Sequence, residues 1–584
     1  MKKDIILFLI LLIFISGIAT GGALLYKKHF MPNMEVVNPY DNADTVLVIE
    51  GDKILDEFPP RVVEGQILLP FKTVKSHIDP YIWWDETLQK VTVTTKDRVI
   101  RMETDNLNAL INDEPMELKF PATEFDGVLY IPIEFLASFY RIDINYVKET
   151  NVVIIDREDV IHRIGYPTSA DAVVRRGRHI RYPVIRMFHD VDLNSDSAKL
   201  YIYEDYDKWY KVRTADGILG YIQKEHVVIK SFEINQIPET LRRTPKLPGG
   251  KISLVWDQMY SPTKKYLEWE KTDGIDVLSP TWFQIANEDG DLINRADPQY
   301  VEWAHDNGYQ VWALVANDFS NIENTSQILN DGLKREHVIR QILAYAALYQ
   351  LDGINIDFEN IYKKDKDAFT QFMRELTPFL REQKLVVSVD VTIPDGSDTW
   401  SKCYDRKALA ETVDYVCLMT YDQTWAGSKV AGSTAQFVWV EENLKKTLRE
   451  VPREKLLLGI PLYTRLWALK TDEHGNRTES TVGNALSIEA ASRLIAENNA
   501  VPVWDEESGQ YVVSFEKDNV VYKMWLENEH SVNQKTALAH KYNLAGTSTW
   551  SHNFANDKVW TVFAENLKNI IHYEEWRAKN LAIR

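Results

Sequence analysis

The chain has 584 residues, with 67 Lys+Arg against 86 Asp+Glu and a net charge of -19 at pH 7. At roughly 150 residues per domain there is room for three or four domains, each with its own core, and 45% hydrophobic with 26% charged residues exclude a disordered or low-complexity chain. The acidic balance argues against nucleic acid as a partner, because that affinity comes from Lys and Arg on phosphates; two cysteines, Cys403 and Cys417, exclude a disulfide framework or a paired-cysteine zinc site. Nothing in the composition calls for a cofactor or a metal ion.

Residues Ile5 to Tyr26 form an almost uninterrupted apolar run between Lys2-Lys3 and Lys27-Lys28. A helix of that length spans ~30 Å of hydrocarbon, and the lack of a small-residue cleavage pattern favours an uncleaved signal-anchor over a removable signal peptide. Residues 1–30 are therefore predicted to be a single-pass membrane anchor, with the long acidic remainder outside the cell membrane.

From 45 to 158 the chain repeats itself. GQILLP (Gly65 to Pro70) leads into a helical stretch and WWDETLQKVTVT (Trp83 to Thr94), while GVLYIP (Gly127 to Pro132) leads into EFLASFY and INYVKETNVVIID (Ile144 to Asp156). Each half reads as strand, short helix, turn and strand. This arrangement resembles the copper amine oxidase N-terminal-like module, which implies an accessory α+β spacer or wall-binding unit and no copper site. Residues 172–230 change to short strands. There Trp209 to Val212, the turn residues Asp216-Gly217, and Gly220-Tyr221-Ile222 resemble a bacterial Src-homology-3-like barrel. Trp209 and Tyr210 are candidates either for a ligand groove or for the core of that barrel. Residues 231–250, with Pro238, Pro245, Pro248 and Gly249-Gly250, read as a linker.

Residues 251–584 alternate apolar strand-like runs with helical stretches. The runs are ISLVWDQM, IDVLSPTWFQI, YQVWALVAN, LDGINIDFENI, KLVVSVDVTI, VDYVCLMTYDQTW, KLLLGIPLYTRLW and AGTSTWSHN. Eight such strands separated by helices predict a parallel sheet buried on both faces and closed as a (β/α)8 TIM barrel, an α/β fold. Residues 470–524 carry strand and turn signals of their own and read as a small α+β insertion before the eighth strand. Chemistry in such barrels sits at the C-terminal ends of the strands.

The fourth run, Asp352-Gly353-Ile354-Asn355-Ile356-Asp357-Phe358-Glu359, alternates polar and apolar residues. With a period of two, Asn355, Asp357 and Glu359 face the barrel interior while Ile354, Ile356 and Phe358 meet the helices. Burying two carboxylates is expensive without partners or purpose. Glu359 is expected at the mouth with Asp357 about 7 Å beneath it, and their repulsion is expected to raise one pKa, as a general acid requires.

The same run resembles the DGxDxDxE motif of family 18 glycoside hydrolases, the chitinases and their relatives. Met419-Thr420-Tyr421-Asp422, closing the sixth run, resembles the family's MxYD motif, and Trp550 closes the eighth where the family places a tryptophan. The wording NIDFEN and SPTWF is closest to the spore-cortex-lytic and wall-associated branch. The resemblance implies a retaining hydrolase of β-linked N-acetylglucosamine glycans, peptidoglycan or chitin-like, in which the substrate's own acetamido oxygen attacks the anomeric carbon. It implies Glu359 as acid and base, Asp357 as support for the acetamido nitrogen, and the Tyr421 hydroxyl on the acetamido oxygen. Asp422, Trp550, Asn355 and Met419 are the implied substrate-binding residues. Asn355 departs from the pattern, since many members carry a further aspartate there; an amide can donate to Asp357 but cannot exchange a proton with it, which puts the pH profile in question.

Asn355, Asp357 and Glu359 could also hold a divalent cation as oxygen donors, but no second acidic cluster is read on a neighbouring strand. Trp282, Asn317 and Trp425 are candidates for the sugar cleft, or else for core and loop. Cys417 reads as a small buried hydrophobe. The alternative function is a non-catalytic glycan-binding wall protein on the same barrel; loss of the acid marks that class, and Glu359 is present.

Overall fold

The computed structural model describes residues 11–22, 26, 31–40, 44–234, 247–259, 266, 271–471 and 477–569. The chain divides into two compact units, in the main residues 1–240 and 241–584. Of the predicted anchor, residues 11–22 are helical with Leu11, Ile13, Phe14 and Ile18 exposed. Residues 1–10, 23–25 and 27–30 lie outside the described residues, as do 235–246 of the linker. No helix of the described residues is long and apolar enough to cross a membrane.

In the first unit the repeat takes a visible form. Arg61–Val63 with Gln66–Pro70, and Thr123–Phe125 with Val128–Pro132, make two like hairpins. Glu64-Gly65 turns one with φ of 52° and 78°, and Asp126-Gly127 turns the other with 53° and 78°. Two successive left-handed residues match the twist of a hairpin, and glycine takes the second without a Cβ penalty. The inner strands pair antiparallel, Tyr130 opposite Pro70 and Pro132 opposite Leu68, and each runs directly into a short helix, Phe71–His77 or Ile133–Tyr140. A second sheet has the order Ile142–Val147, Val152–Arg157, Val46–Ile49, Asp52–Ile54.

The small β domain differs from its expectation in where it begins. Seven strands, from Ile161–Pro167 to Val227–Ile234, form one antiparallel sheet whose edge strands do not pair with each other among the described residues. It begins at Ile161 because that strand is sandwiched between Leu200–Asp205 and Val227–Ile234, partners too distant in sequence to be read locally. Trp209 belongs to the core, and Tyr210 lies half-buried beneath the cations of Arg163 and Lys224.

In the second unit eight parallel strands close on themselves: β1 (Ile252–Asp257), β2 (Val277–Pro280), β3 (Gln310–Ala316), β4 (Gly353–Asp357), β5 (Val386–Thr392), β6 (Tyr415–Met419), β7 (Leu456–Pro461) and β8 (Gly546–Trp550). Each pairs with its sequence neighbour, and β8 closes onto β1. All eight predicted runs are barrel strands. Leu254, Trp256, Trp312, Leu314, Cys417 and Leu457 fill the interior, so this is a packed core with its chemistry confined to one end. Outside, the helices Gly332–Leu348 and Lys366–Glu382 share a fully buried ion pair, Arg335 to Glu375 at 3.0 Å. Its remaining polar capacity is met by the Leu329 carbonyl and by Gln371, which is what makes a buried pair tolerable.

The insertion after β7 starts at Tyr463, ahead of the expected Lys470, and runs to Leu526. Tyr463–Thr464 pairs with Leu486–Ser487, and a five-stranded antiparallel sheet has the order Arg477–Thr481, Trp467–Thr471, Val520–Leu526, Gln510–Lys517, Val503–Asp505. The apolar run LLLGIPLYTRLW hides this junction in sequence, because Pro461 ends β7 while the hydrophobic pattern continues beyond it.

Gly546 opens β8 at the closing seam. A Cβ there would lie 2.0 Å from the Ile252 carbonyl oxygen and 2.5 Å from the Ile252 nitrogen, backbone atoms that cannot swing aside. Gly546→Ala is expected to destabilise the protein by about 3 kcal/mol, the upper end of overpacking, seen as a lower urea midpoint by tryptophan fluorescence. An unchanged midpoint would mean that β1 and β8 do not meet this closely.

Candidate active site

Chemistry collects where β4 and β5 reach the mouth. The β3–β4 ladder runs up to Ala316 opposite Asp357, and Asn317 then continues it with a side chain. Its Oδ1 accepts from the Glu359 N–H at 2.8 Å, and its Nδ2 donates to the Glu359 carbonyl at 2.8 Å. A side-chain amide carries the same donor and acceptor as a peptide, so Glu359 is held as though it were still in the sheet. Asn317, a cleft candidate in sequence, is thus fully buried and fixed further by Thr325 Oγ1 at 2.8 Å. Next to it, the Phe358 carbonyl accepts from Tyr404 Oη at 2.8 Å, and the Phe358 ring stacks on Phe369 and Phe372 of the Lys366–Glu382 helix. The apolar side of the run meets the helices, as its period of two predicts.

Asn355 lies beneath. Its Nδ2 donates to Ser388 Oγ at 3.0 Å and to Asp390 Oδ1 at 2.8 Å, while its Oδ1 accepts from Trp256 Nε1 at 2.8 Å and Ser279 Oγ at 3.4 Å. Every donor and acceptor of the amide is committed, and the residue is 0% exposed. Two expectations are corrected by this: Asn355 underpins the site and does not line it for substrate, and its partner is Asp390 and not Asp357.

Asp390, on β5, is the principal residue that the sequence reading missed. VVSVDVT alternates Ser388 and Asp390 with valines, so the period-of-two argument used for β4 would have found it. It supplies the neighbouring carboxyl that the metal reading lacked, yet Asp357, Glu359 and Asp390 do not converge on one point. Among the described residues the acidic and histidine group close enough to share an ion is Glu50, Asp156 and His162 in the first unit, where Arg213 already binds Asp156 and His162 bonds Glu50.

Burial sets the protonation of the site. It pushes the Asp357 carboxyl up to about 7, and Asp357 Oδ1 is buried without a hydrogen-bond partner. Half-buried Glu359 stands well above the carboxylate range, through burial first and then the charges of Asp357, Asp390 and Asp422. Asp390 is also raised well above it, by burial and then Asp357, with bonds from Asn355, Cys417 and Trp256 pulling it back. The expected repulsion is present, but desolvation leads.

Around the rim, Tyr421 follows β6 half-buried, its phenol kept neutral by burial and then by Asp390, Tyr463, Glu359 and Asp357. Asp422 is exposed, and its Oδ1 accepts from Tyr463 Oη at 2.6 Å and from Arg465 Nη2 at 2.7 Å. Tyr463 and Arg465 went unnoticed in sequence because they follow Pro461 in what reads as the tail of a strand. Trp550 is half-buried at the end of β8, its ring 6.1 Å from that of Trp256, and Met419 is buried at the end of β6. Trp282 is fully buried against Tyr300 and Phe283, outside any cleft, whereas Trp425 is exposed on the loop after β6. Cys417 is buried as expected, beside Asp390.

A closed parallel barrel with two carboxyls following one another along one run at its mouth, both raised above the carboxylate range, and a tyrosine nearby presents a site fitted to acid–base chemistry. The sequence profile of Glycosyl hydrolases family 18 matches residues 258–555, just over half of the chain, and the chain belongs to that family: it is a glycoside hydrolase. Residues 48–155 match the Copper amine oxidase N-terminal domain. The uncharacterized glycosylase YvbX of Bacillus subtilis (strain 168) is 25% identical over 291 residues, 48% of this chain and 82% of that protein. The cortical fragment-lytic enzyme of Bacillus anthracis is 27% identical over 292 residues, 48% of this chain and 66% of that protein. The C-terminal domain of a protein assigned as a chitinase from Desulfitobacterium hafniense DCB-2 shares the fold, with a TM-score of 0.50 and 24% identity over 55% of this chain and 100% of that one.

The raised carboxyls bear on stability. A carboxyl with a raised folded pKa contributes fully below its unfolded value and loses that contribution as pH rises through the folded one. With Asp357 at about 7, stability is expected to decline from about pH 4 to about pH 7. Glu359→Gln removes one acid whose pKa is raised by folding, so it should flatten the decline and be more stable than wild type at the alkaline end. Urea titrations of both proteins across the range decide this, and parallel curves would refute it.

Proposed function

We propose that residues 251–584 hydrolyse β-linked N-acetylglucosamine glycans, peptidoglycan or a chitin-like polymer, with retention and with the substrate's acetamido group as nucleophile. The observation that carries this reading is Glu359, a carboxyl raised well above its ordinary range by burial at the mouth, above Asp357, a buried carboxyl of the same run with one oxygen unpartnered. Two carboxyls projecting from one strand are poorly placed to flank opposite faces of a sugar as acid and nucleophile. An acetamido oxygen that attacks the anomeric carbon removes that need. Glu359 protonates the glycosidic oxygen as its bond breaks, then takes a proton from the water that opens the oxazolinium ion. Ionised Asp357 accepts from the acetamido N–H and offsets the positive charge, while the Tyr421 hydroxyl donates to the acetamido oxygen. Trp550 packs beneath the ring, Met419 adds apolar wall, and Asp422 meets sugar hydroxyls beside Tyr463 and Arg465.

The cortical fragment-lytic relative makes peptidoglycan the first substrate to try. The exposed apolar side chains of residues 11–22, within a run flanked by lysines on both sides, support a membrane anchor that leaves the barrel outside the cell. The first unit would then serve as a spacer or wall-binding unit.

Full-length wild type and Glu359→Gln, given a β-N-acetylglucosaminide and purified peptidoglycan, should differ in released reducing ends by about 10²- to 10⁴-fold in kcat, with glycan binding retained. Binding by wild type without release on either would replace hydrolysis by the glycan-binding reading. Asn317→Ala leaves every group that touches sugar in place but frees the main chain of Glu359, so kcat should fall about tenfold or more with KM nearly unchanged. Asn317→Asp, which keeps the acceptor for the Glu359 N–H, should fall less; a loss confined to KM would show that Asn317 does not position the acid.

A further inference from the structure

Asn355 leaves β4 with a single inner carboxyl, and β5 carries one, Asp390, in a row otherwise of serine and valines. Asp390 is 1% exposed. The β4–β5 register sets Ile356 opposite Val389, which makes Asp357 and Asp390 the next residues along on neighbouring strands; the groups that act on Asp390 are Asn355, Asp357, Cys417, Tyr421 and Trp256, and it acts on Glu359. None of these groups is a cation. The Asn355 amide donates to Asp390 Oδ1 at 2.8 Å, and Asp357 Oδ1 is buried with no hydrogen-bond partner. Two carboxyls side by side out of water do not both ionise; they share one proton and titrate as a pair.

We propose that Asp390 supplies from β5 the inner carboxyl that Asn355 lacks on β4, and that it holds the proton that lets Asp357 carry negative charge during turnover. This rests on the reading of Asp357 and Glu359 given above. Asp390 is a positioning residue: it touches no substrate and acts through Asp357. The pair keeps its one proton throughout, on Asp390 while Asp357 supports the oxazolinium ion. The proton delivered to the leaving oxygen comes from Glu359 alone, and the water returns it there.

Asp390→Asn tests this in the full-length protein, beside the exchange variant Asn355→Asp/Asp390→Asn. The amide of Asp390→Asn donates to ionised Asp357 more weakly than a carboxylic acid does, so the acid limb of kcat/KM should move up. Because Asp390 is neutral whenever Asp357 is ionised, the change removes no charge beside Glu359, and the basic limb should stay in place while the acid limb moves by about one unit. The exchange variant puts a carboxyl back beside Asp357 with an amide as its neighbour, and its profile should widen again toward wild type. Infrared spectra taken above the acid limb give a readout independent of turnover: the carbonyl stretch of one protonated carboxyl should vanish in Asp390→Asn and return in the exchange variant. A wild-type protein that releases no reducing ends counts against the glycosidase reading, while the infrared bands still decide the role of Asp390. An Asp390→Asn profile superimposable on wild type, an exchange variant no wider than Asp390→Asn, or an unchanged protonated-carboxyl band overturns the proposal.

Discussion

A carboxylate withdrawn from water is among the costliest groups a protein can hold, and three of them gather between β4 and β5. The usual remedy, an arginine or lysine, would also have ionised Glu359 and left it with no proton to give. Here the groups that act on Asp390 and Asp357 are amide, thiol, phenol, indole and each other. The cation at the rim, Arg465, is engaged by Asp422 at 2.7 Å, and Asp422 is itself one of the charges that raise Glu359. The same side chain therefore occupies the guanidinium and adds to the field that keeps the acid protonated. Protonation and neutral hydrogen bonds take the place of ion pairing, and acid strength becomes a property of burial.

Such an arrangement works only if the burial is rigid, and amide side chains extend the barrel's own ladder to make it so. Asn317 carries the β3–β4 pairing past the last strand residues to the main chain of Glu359. Asn355 ties β4 to β1, β2 and β5 at one level through Trp256, Ser279, Ser388 and Asp390. The insertion is anchored in the same fashion. Glu527, at its end, forms a buried pair with Lys535 and accepts from Gln510 at 2.8 Å, while Gln510 accepts from Ser433 in the loop after β6. The same loop carries Asp422, which accepts from Tyr463 and Arg465 of the insertion, so the insertion is bonded to the rim of the site at both places.

Periodicity made the barrel legible in sequence. Eight apolar runs needed only their spacing, and the polar row of β4 needed only the alternation of side chains along a strand. Asp390 was within reach of the same alternation, since Ser388, Asp390 and Thr392 alternate with valines on β5, but it lies outside the run that carries the motif. The rest failed to show for physical reasons. Asn317 acts through its side-chain amide on a main chain 42 residues away, a contact without any local pattern. Tyr463 and Arg465 fall where β7 gives way to the insertion, and hydrophobicity continues across the junction although the backbone does not. Trp282 was left open between cleft and core by the sequence, because aromatic residues near strand ends suit either; it closes a cluster with Tyr300 and Phe283 and belongs to the core.

The first unit shows the same limit at the level of domains. Its two stretches read as separate modules because each has its own repeat or hairpin signal, and the family profile of the first ends at residue 155, inside the strand Val152–Arg157. Their cores are nevertheless one: Val48, Val152 and Ile154 pack with Val174, Phe188 and Val212. The turn at Asp216-Gly217 is part of this seam. Thr150 Oγ1 donates to the Asp216 carbonyl at 2.6 Å and Tyr40 Oη to the Gly217 carbonyl at 2.7 Å, and Val152 would lie 2.9 Å from any Cβ at Gly217. Glycine there answers both to a positive φ of 82° and to a neighbour from the other module. A turn signal that is local in sequence thus carries a non-local packing constraint, so the two stretches fold as a single body whose boundary no local pattern marks.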